Sequence, residues 1–395
     1  MTQNPIVSKL VDFLIIALFL GALLSPSVLW LVEKDVFYSD VEKRTLQSFP
    51  KIDSLHSIST FTRSFDSYFQ DHFGLREWLI HRYQREAQKR FGISGVADVV
   101  EGNDGWLYLS SGNILNDLKG KIQFSEKEKK VFWHHLIEQE KWLKELGIAY
   151  IFLVAPNKQT IYPEYLPEHY QSSLKPSRLD RLLAKKPDHG GENLLDVRSR
   201  LQREKDQTQL YFKSDTHWNA HGAFLAYQAV MERSQIVFPE IQALKNIHLK
   251  PHWADMSDGD LAVMMGGKDT IREQRPVLDT SDFTATPMKL SKETADIIPS
   301  PLLQTLHTIK KDRPLRVLVL HDSFFNILKP YISESFGEVL YVTRYRNGAT
   351  MQLFNQSTLQ DLVALYKPDI VIEELVERNL QRFLPAIAEG DQKNN

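Results

Sequence analysis

Leu315-Arg316-Val317-Leu318-Val319-Leu320, closed by His321-Asp322-Ser323-Phe324-Phe325, reads as a buried strand running into a tight turn that carries a serine. Three other segments share this character. Ile148 to Ala155 ends at Pro156-Asn157-Lys158 and follows a helix opened by the capping box Ser125 and Glu128. That helix runs through Phe132, Leu136, Leu143 and Leu146 and stops at Gly147. Asp369 to Ile372 follows a helical stretch from Leu359 to Tyr366, and Val339 to Val342 reads as one more strand. Leu303 to Lys310 is expected to be the helix before the serine strand. Helix and apolar strand in alternation predict an α/β domain, a parallel sheet flanked by helices. In such sheets ligand sites form beyond the carboxyl ends of the strands, where Ser323 and Asn157 would both lie.

The rest of the chain sets limits. It has 395 residues, enough for one large domain with accessories, and no low-complexity tract. Lys+Arg 48 against Asp+Glu 50 leaves a net charge of -2, so no pull on nucleic acid is expected. Absence of cysteine excludes disulfides, a thiol nucleophile and thiolate metal sites. From Leu10 to Val32 the chain is apolar apart from Asp12 and the Ser25-Pro26-Ser27 break, the length of a membrane-spanning helix. Lys9 precedes it and Glu33, Lys34 and Asp35 follow, which puts residues 1–9 in the cytoplasm and the remainder outside. Gly21-Ala22-Leu23 is a poor cleavage site, so 10–32 is read as an uncleaved signal anchor.

Beyond the anchor, 33–100 is expected to form an extended linker and a helical stalk broken at Gly74. The main α/β domain, expected over 101–385, opens with the turn Asn103-Asp104-Gly105 and the aromatic strand Trp106 to Leu109. Within it 251–300 reads as an insertion or lid, and 386–395 as a frayed tail.

Near the middle stands Ser214-Asp215-Thr216-His217-Trp218-Asn219. In extended backbone residues i and i+2 face the same way, so Asp215 and His217 can project into one cleft. With Ser323 they supply the orienting carboxylate, base and nucleophile of a serine-type acyl-transfer site. Other readings compete. Asp215 could cap the helix beginning at Ala220. His217 and His221, spaced i and i+4, could bind zinc with Asp215, but Trp218 and Asn219 stand where a zincin helix has its glutamate. No metal and no cofactor is therefore expected. Trp218 is either core packing or a platform for a sugar ring.

Several stretches resemble one family. They are Val41-Glu42-Lys43-Arg44-Thr45-Leu46, Asp71-His72-Phe73-Gly74-Leu75-Arg76, Gly105-Trp106-Leu107-Tyr108-Leu109, and Ala155-Pro156-Asn157-Lys158 with Tyr162-Pro163. Asp215 to Asn219, His321-Asp322-Ser323-Phe324 and Val376-Glu377-Arg378-Asn379-Leu380 complete the set. Together they resemble the periplasmic polysaccharide O-acetyltransferases of the alginate type, which are SGNH-hydrolase-like, and within these the membrane-anchored member. The resemblance implies an SGNH-like fold with circularly permuted motif order, the Asp-x-His block preceding the serine. It also implies Ser323 as nucleophile, His217 as general base and acid, and Asp215 as its orienter. The acceptor would be an exopolysaccharide such as alginate, and a membrane-bound partner would supply acetyl groups. Oxyanion or substrate contacts fall to the Ser323 N–H and to Arg346, Asn347, Asn157 and Trp218. Glu377 and Arg378 are expected to pair with each other. His321 replaces the glycine of the usual Gly-Asp-Ser turn, which puts the geometry of that turn in question. An acetyl esterase, or a non-catalytic polysaccharide-binding or scaffold subunit, are the alternative functions.

Overall fold

In the computed structural model the chain forms two compact units, residues 1–96 with 263–267, and residues 97–262 with 268–395. All residues are described except 1–4, 33–37, 40–43, 53–54, 77, 81, 84–85, 87–97, 112–113, 247–248, 251–252, 266–270, 299–304, 345–353 and 386–395.

The first unit opens with helix α1 (Pro5–Val32), whose Val11–Trp30 stretch is long and apolar enough to cross a bilayer. It starts earlier than the apolar run because Pro5 is tolerated in the first helical turn. The linker contains a small pairing, Tyr38–Ser39 antiparallel to Arg44–Thr45. Helix α2 (Leu55–His72) follows, with rings at i and i+4 spacing: Phe61 to Phe65 at 5.9 Å and Phe65 to Phe69 at 6.4 Å. It stops before Gly74, where Leu75 takes φ 67°, so the break expected at Gly74 is present.

The second unit is built on a seven-stranded sheet. Its strands in chain order are β1 (Ala149–Ala155), β2 (Leu194–Asp196), β3 (Thr286–Met288), β4 (Thr305–Ile309), β5 (Arg316–His321), β6 (Glu338–Thr343) and β7 (Ile370–Val376). Their spatial order is β2-β1-β7-β5-β6-β4-β3. The five from β2 to β6 are parallel, and β4 and β3 add to the edge antiparallel.

Helices cover both faces because the central strands are apolar on both. Ile151, Leu153, Val317, Val319, Ile370 and Ile372 point to one side, where α4 (Ala220–Val237) and α5 (Lys329–Ser335) pack. Tyr150, Phe152, Val154, Leu318, Leu320 and Val371 point to the other, covered by α3 (Glu126–Glu145) and α6 (Gln356–Tyr366). The α3 cap is the expected reciprocal box, with Ser125 Oγ accepting the Glu128 N–H at 3.2 Å and Glu128 Oε2 accepting the Ser125 N–H at 2.7 Å. Gly147 at φ 75° then turns the chain into β1.

One expectation fails. Within Leu303 to Lys310 the described residues form strand β4, not a helix. Thr305, Thr308 and Ile309 are β-branched and favour extended backbone. The antiparallel edge of β6 offers them a full register from Thr305↔Val342 to Ile309↔Glu338. His307 adds a diagonal bond, Nε2 to Glu338 Oε1 at 2.8 Å.

The stretch 251–300 is structured where it is described. Thr286–Met288 is the sheet edge, and Ala254–Met256 pairs antiparallel with Glu273–Arg275.

β7 carries two acids in the sheet interior. Glu373 accepts the Tyr150 hydroxyl at 2.7 Å and an Arg344 N–H at 2.7 Å. Glu374 points to the opposite face and accepts the Asp322 N–H at 3.0 Å. Burial, and then the neighbouring Asp322 carboxylate, push Glu374 well above the ordinary carboxylate range. Its surroundings therefore favour the protonated, neutral form over the carboxylate. Glu374→Gln keeps the acceptor oxygen and should change unfolding free energy by less than about 1 kcal/mol. Glu374→Ala leaves the Asp322 N–H buried without an acceptor and should cost about 1–3 kcal/mol. Urea titration of the two variants measures both, and equal losses would contradict the neutral assignment.

Candidate active site

The residues that converge on Ser323 come from the carboxyl ends of β1, β5 and β7 and from the loop 211–219. A bridge between Tyr211 and Trp218 closes that loop, with Asn219 N–H on Leu210 O at 2.8 Å. Its carbonyls point to one buried cation. Lys158, just past β1, donates from Nζ to the carbonyl oxygens of Phe212 at 3.1 Å, Lys213 at 3.0 Å and Asp215 at 2.7 Å. All three ammonium donors are thereby used. Burial lowers the Lys158 pKa to about 8, with Asp215, Asp260 and Glu273 holding it up. The loop amides point to an anion: Glu273 accepts the N–H groups of Lys213 at 2.6 Å and Ser214 at 2.8 Å.

Asp260 makes a second brace. Its N–H donates to Asp215 Oδ2 at 3.0 Å, and its carboxylate accepts the Thr216 N–H and Oγ1–H, each at 2.7 Å. This approach requires Gly259, since a Cβ there would lie 2.4 Å from Ser214 O.

On this frame Asp215 Oδ1 accepts the His217 N–H at 2.8 Å and lies 2.6 Å from His217 Nδ1. A carboxylate only accepts, so Nδ1 carries the proton and Nε2 faces Ser323 Oγ, 2.8 Å away. The three side chains named from sequence thus meet in a chain of two hydrogen bonds. Burial opposes charge on His217, but the Asp215 carboxylate, their hydrogen bond and Asp260 outweigh it and raise its pKa, with Arg378 pulling the other way. Burial also opposes charge on Asp215, but His217 and the Asp260 and His217 N–H groups hold that carboxyl well below its usual range.

Ser323 is exposed and opens a 3-10 turn over Ser323–Ile327. Asp322 caps that turn, accepting the Phe324 N–H at 2.8 Å, and its other oxygen accepts the Val376 N–H at 2.9 Å. The Ser323 N–H has no acceptor among the described residues. His321 causes no backbone conflict: it is not among the residues with positive φ. Its ring is buried between Phe325 and Tyr341, with Nδ1 2.5 Å from Asp322 O, and burial pushes its pKa down to about 3.

The remaining sequence-based candidates divide. Trp218 is fully buried, with Nε1 donating to Phe324 O at 2.9 Å, so it has no open face for a sugar ring. Asn219, rather than Asp215, caps α4 through the N–H groups of His221 and Gly222. Asn157 is buried and its Oδ1 meets Arg378 Nη1 at 3.4 Å. Arg346 and Asn347 lie outside the described residues.

The expected Glu377–Arg378 pair is not formed. Glu377 accepts instead from the Asn157 N–H at 3.0 Å and from the hydroxyls of Thr160 at 2.6 Å and Ser177 at 3.3 Å. Among the described residues the one grouping with metal-ligand spacing is Asp215, His217 and Asp260, without His221. Its oxygens are taken by the hydrogen bonds above, which is the chemistry of an oriented imidazole. Sequence reading missed Lys158, Asp260 and Glu273. Lys158 carried a signal, a lysine directly after a buried strand, whereas nothing local marks the two acids.

The chain is similar to several known proteins. Residues 99–300, about half of the chain, match the model of the SGNH hydrolase-like domain of the acetyltransferase AlgX. The chain belongs to that family. The matched region holds Asp215 and His217, and Ser323 lies beyond it. Two curated relatives are both named probable alginate O-acetylase AlgJ. The one from Pseudomonas aeruginosa is 27% identical over 187 residues, 43% of this chain and 44% of the relative. The one from Pseudomonas syringae pv. tomato is 23% identical over 249 residues, 62% of this chain and 59% of the relative. The chain thus spans about half the length of the curated relatives it matches. Among solved structures, Bacillus cereus PatB1 covers 72% of this chain and 98% of its own, with 17% identity and TM-score 0.47. The O-acetyltransferase domain of Pseudomonas putida AlgJ covers 72% and 92%, with 17% identity and TM-score 0.41.

Replacing Lys158 tests the frame. Lys158→Met removes a buried cation from three carbonyls and should cost about 2–3 kcal/mol in urea titration. It should also slow any Ser323-dependent acylation, because Asp215 loses its backbone anchor. Unchanged stability together with unchanged acylation would refute the frame.

Proposed function

We propose that this chain is a membrane-anchored O-acetyltransferase that moves acetyl groups onto hydroxyls of an exopolysaccharide through an acetyl-Ser323 intermediate. The observation that carries the reading is the relay from Ser323 Oγ to His217 Nε2 at 2.8 Å and from Nδ1 to Asp215 at 2.6 Å. Its setting in a member of an acetyltransferase family supports acetyl as the group transferred. His217 accepts the Ser323 proton as Oγ adds to the acetyl carbonyl, then returns it to the departing group. The same imidazole next deprotonates the sugar hydroxyl that attacks the acetyl-serine and gives that proton to Ser323 Oγ as its ester bond breaks, and Asp215 stabilises the imidazolium each time.

Both curated relatives carry alginate in their names, so alginate is the first acceptor to test. Helix α1, with Lys9 before its apolar stretch, supports an anchor in the cytoplasmic membrane with the site on the periplasmic side. A membrane-bound partner would deliver acetyl groups to that side.

Intact mass and peptide mapping after exposure to an acetyl ester should find one added acetyl on Ser323, absent in Ser323→Ala. An acetylated oligosaccharide should appear when acceptor is supplied. Acetate release without any acetylated sugar, whatever the acceptor, would overturn the transferase reading in favour of an esterase.

The pH profile supplies a second test. As pH falls through the raised His217 pKa the ring takes a proton and Ser323 loses its base. The acid limb of acylation should therefore lie above His217's ordinary 6.5. Asp215→Asn removes the charge that raises it, so the limb should move to lower pH while the rate drops about 10³–10⁴-fold.

A further inference from the structure

A tetrahedral intermediate on Ser323 carries a full negative charge on the former carbonyl oxygen. Preorganised donors aimed at that oxygen supply much of the rate in such sites. The unengaged Ser323 N–H is one donor, and an effective site uses at least one more.

Arg378 is placed to be that donor. It is the second residue of the 3-10 turn Glu377–Phe383, at the carboxyl end of β7 and next to the strand that ends at the nucleophile. Parallel register sets Leu320 against Glu373, and the bond from Val376 N–H to Asp322 fastens the end of β7 beside Ser323. Two residues further on, the Arg378 guanidinium carbon lies 5.1 Å from the centroid of the Phe324 ring. The His217 ring lies 4.7 Å from the same centroid. Base and guanidinium therefore share one buried ring, that of the residue following the nucleophile.

The guanidinium has no carboxylate partner among the described residues. Glu377 is committed to Asn157, Thr160 and Ser177, so it does not neutralise its neighbour. Nη1 donates to Asn157 Oδ1, and the Arg378 carbonyl accepts from Arg178 Nη2 at 3.0 Å. The Asn157 contact orients the fork, the Arg178 contact fixes the backbone that carries it, and no other described residue takes the remaining N–H groups. A half-buried cation with no carboxylate in ion-pair contact loses hydration, and an arriving negative oxygen restores what was lost.

We propose that Arg378 is a further catalytic residue, whose guanidinium donates to the oxyanion formed when Ser323 adds to an acetyl carbonyl, with Asn157 orienting it. The proposal rests on the acetyl-Ser323 reading above. As Oγ bonds to the carbonyl carbon, its proton passes to His217 Nε2 and the carbonyl π pair moves onto oxygen. There the Ser323 N–H and Arg378 meet it. When the bond to the leaving group breaks, the pair returns to re-form the carbonyl and the departing oxygen takes the proton from His217. Attack by the acceptor hydroxyl on acetyl-Ser323 passes through a second oxyanion at the same place. An arginine suits this role because it stays protonated throughout and does not compete with His217 for the proton.

The test uses the full chain in detergent micelles with p-nitrophenyl acetate, a neutral acetyl ester. It follows the burst of p-nitrophenolate and the acetyl-protein mass. A burst in wild type that is absent in Ser323→Ala upholds the underlying reading; no burst in wild type sinks that reading, and this proposal with it. Given the burst, Arg378→Gln should lower the acylation rate constant about 100-fold across the pH plateau. The thermal midpoint should stay unchanged. Arg378→Lys, which keeps the charge but not the fork, should recover part of the rate. Asn157→Ala should give a smaller loss in kcat with little change in KM.

Three results overturn the role. One is an unchanged burst in Arg378→Gln. Another is a loss seen only as a higher KM for a polyuronate acceptor, which would make Arg378 a carboxylate clamp. The third is a displaced acid limb with an unchanged plateau, which would mean that Arg378 acts only through the basicity of His217. If Arg378→Gln fails to fold, Arg378→Lys read on the same burst decides the matter.

Discussion

The Nζ of Lys158 donates to the carbonyl oxygens of Phe212, Lys213 and Asp215, and through them the end of β1 carries the loop on which Asp215 and His217 stand. Loops rarely hold catalytic geometry without such ties, because each unfixed residue keeps its backbone entropy. Here the fixing group is an ammonium in a buried site, and its desolvation is offset by three carbonyl dipoles and by the acids around it. Removing it would free the backbone from which the carboxylate of the relay projects.

Around that cation the charges are layered. Asp215 and Asp260 lie behind the imidazole, and Glu273 gathers the amides on the far side of the loop. Negative charge at this position holds His217 toward its protonated form, as the proposed transfer of a proton from Ser323 would require. Arg378 lies against the same Phe324 ring as His217 and opposes that trend at the imidazole. The site thus sets two carboxylates beside the imidazole and one guanidinium against the ring it shares.

The parts of this arrangement were legible to different degrees. Strands β1, β5, β6 and β7 showed themselves as apolar runs because both faces are buried, and the α3 cap was written out by Ser125 and Glu128. Asp215, His217 and Ser323 were candidates from residue type and strand-and-turn context, beside capping and zinc readings, and the family resemblance joined them into one site. β4 was misread as a helix, since its conformation is dictated by the open edge of β6 rather than by its own pattern. Asp260 and Glu273 sit in a stretch with weak periodicity, and their roles follow from long-range contacts with Thr216 and Ser214. His321 looked like a defect in the serine turn. Its negative φ and a pocket lined by Phe325 and Tyr341 remove the difficulty.

By itself the sequence determined the alternation of helix and buried strand, the apolar amino-terminal helix, and the candidacy of Asp215, His217 and Ser323. Those are set by local periodicity and by intrinsic chemistry, which act over a few residues. Only the tertiary structure decided that Asp215 braces an imidazole instead of capping α4, that Trp218 is core, and that Arg378 leaves Glu377 for the ring beside the nucleophile. Each of those outcomes depends on which distant group reaches a polar atom first, and strand order and register settle that competition.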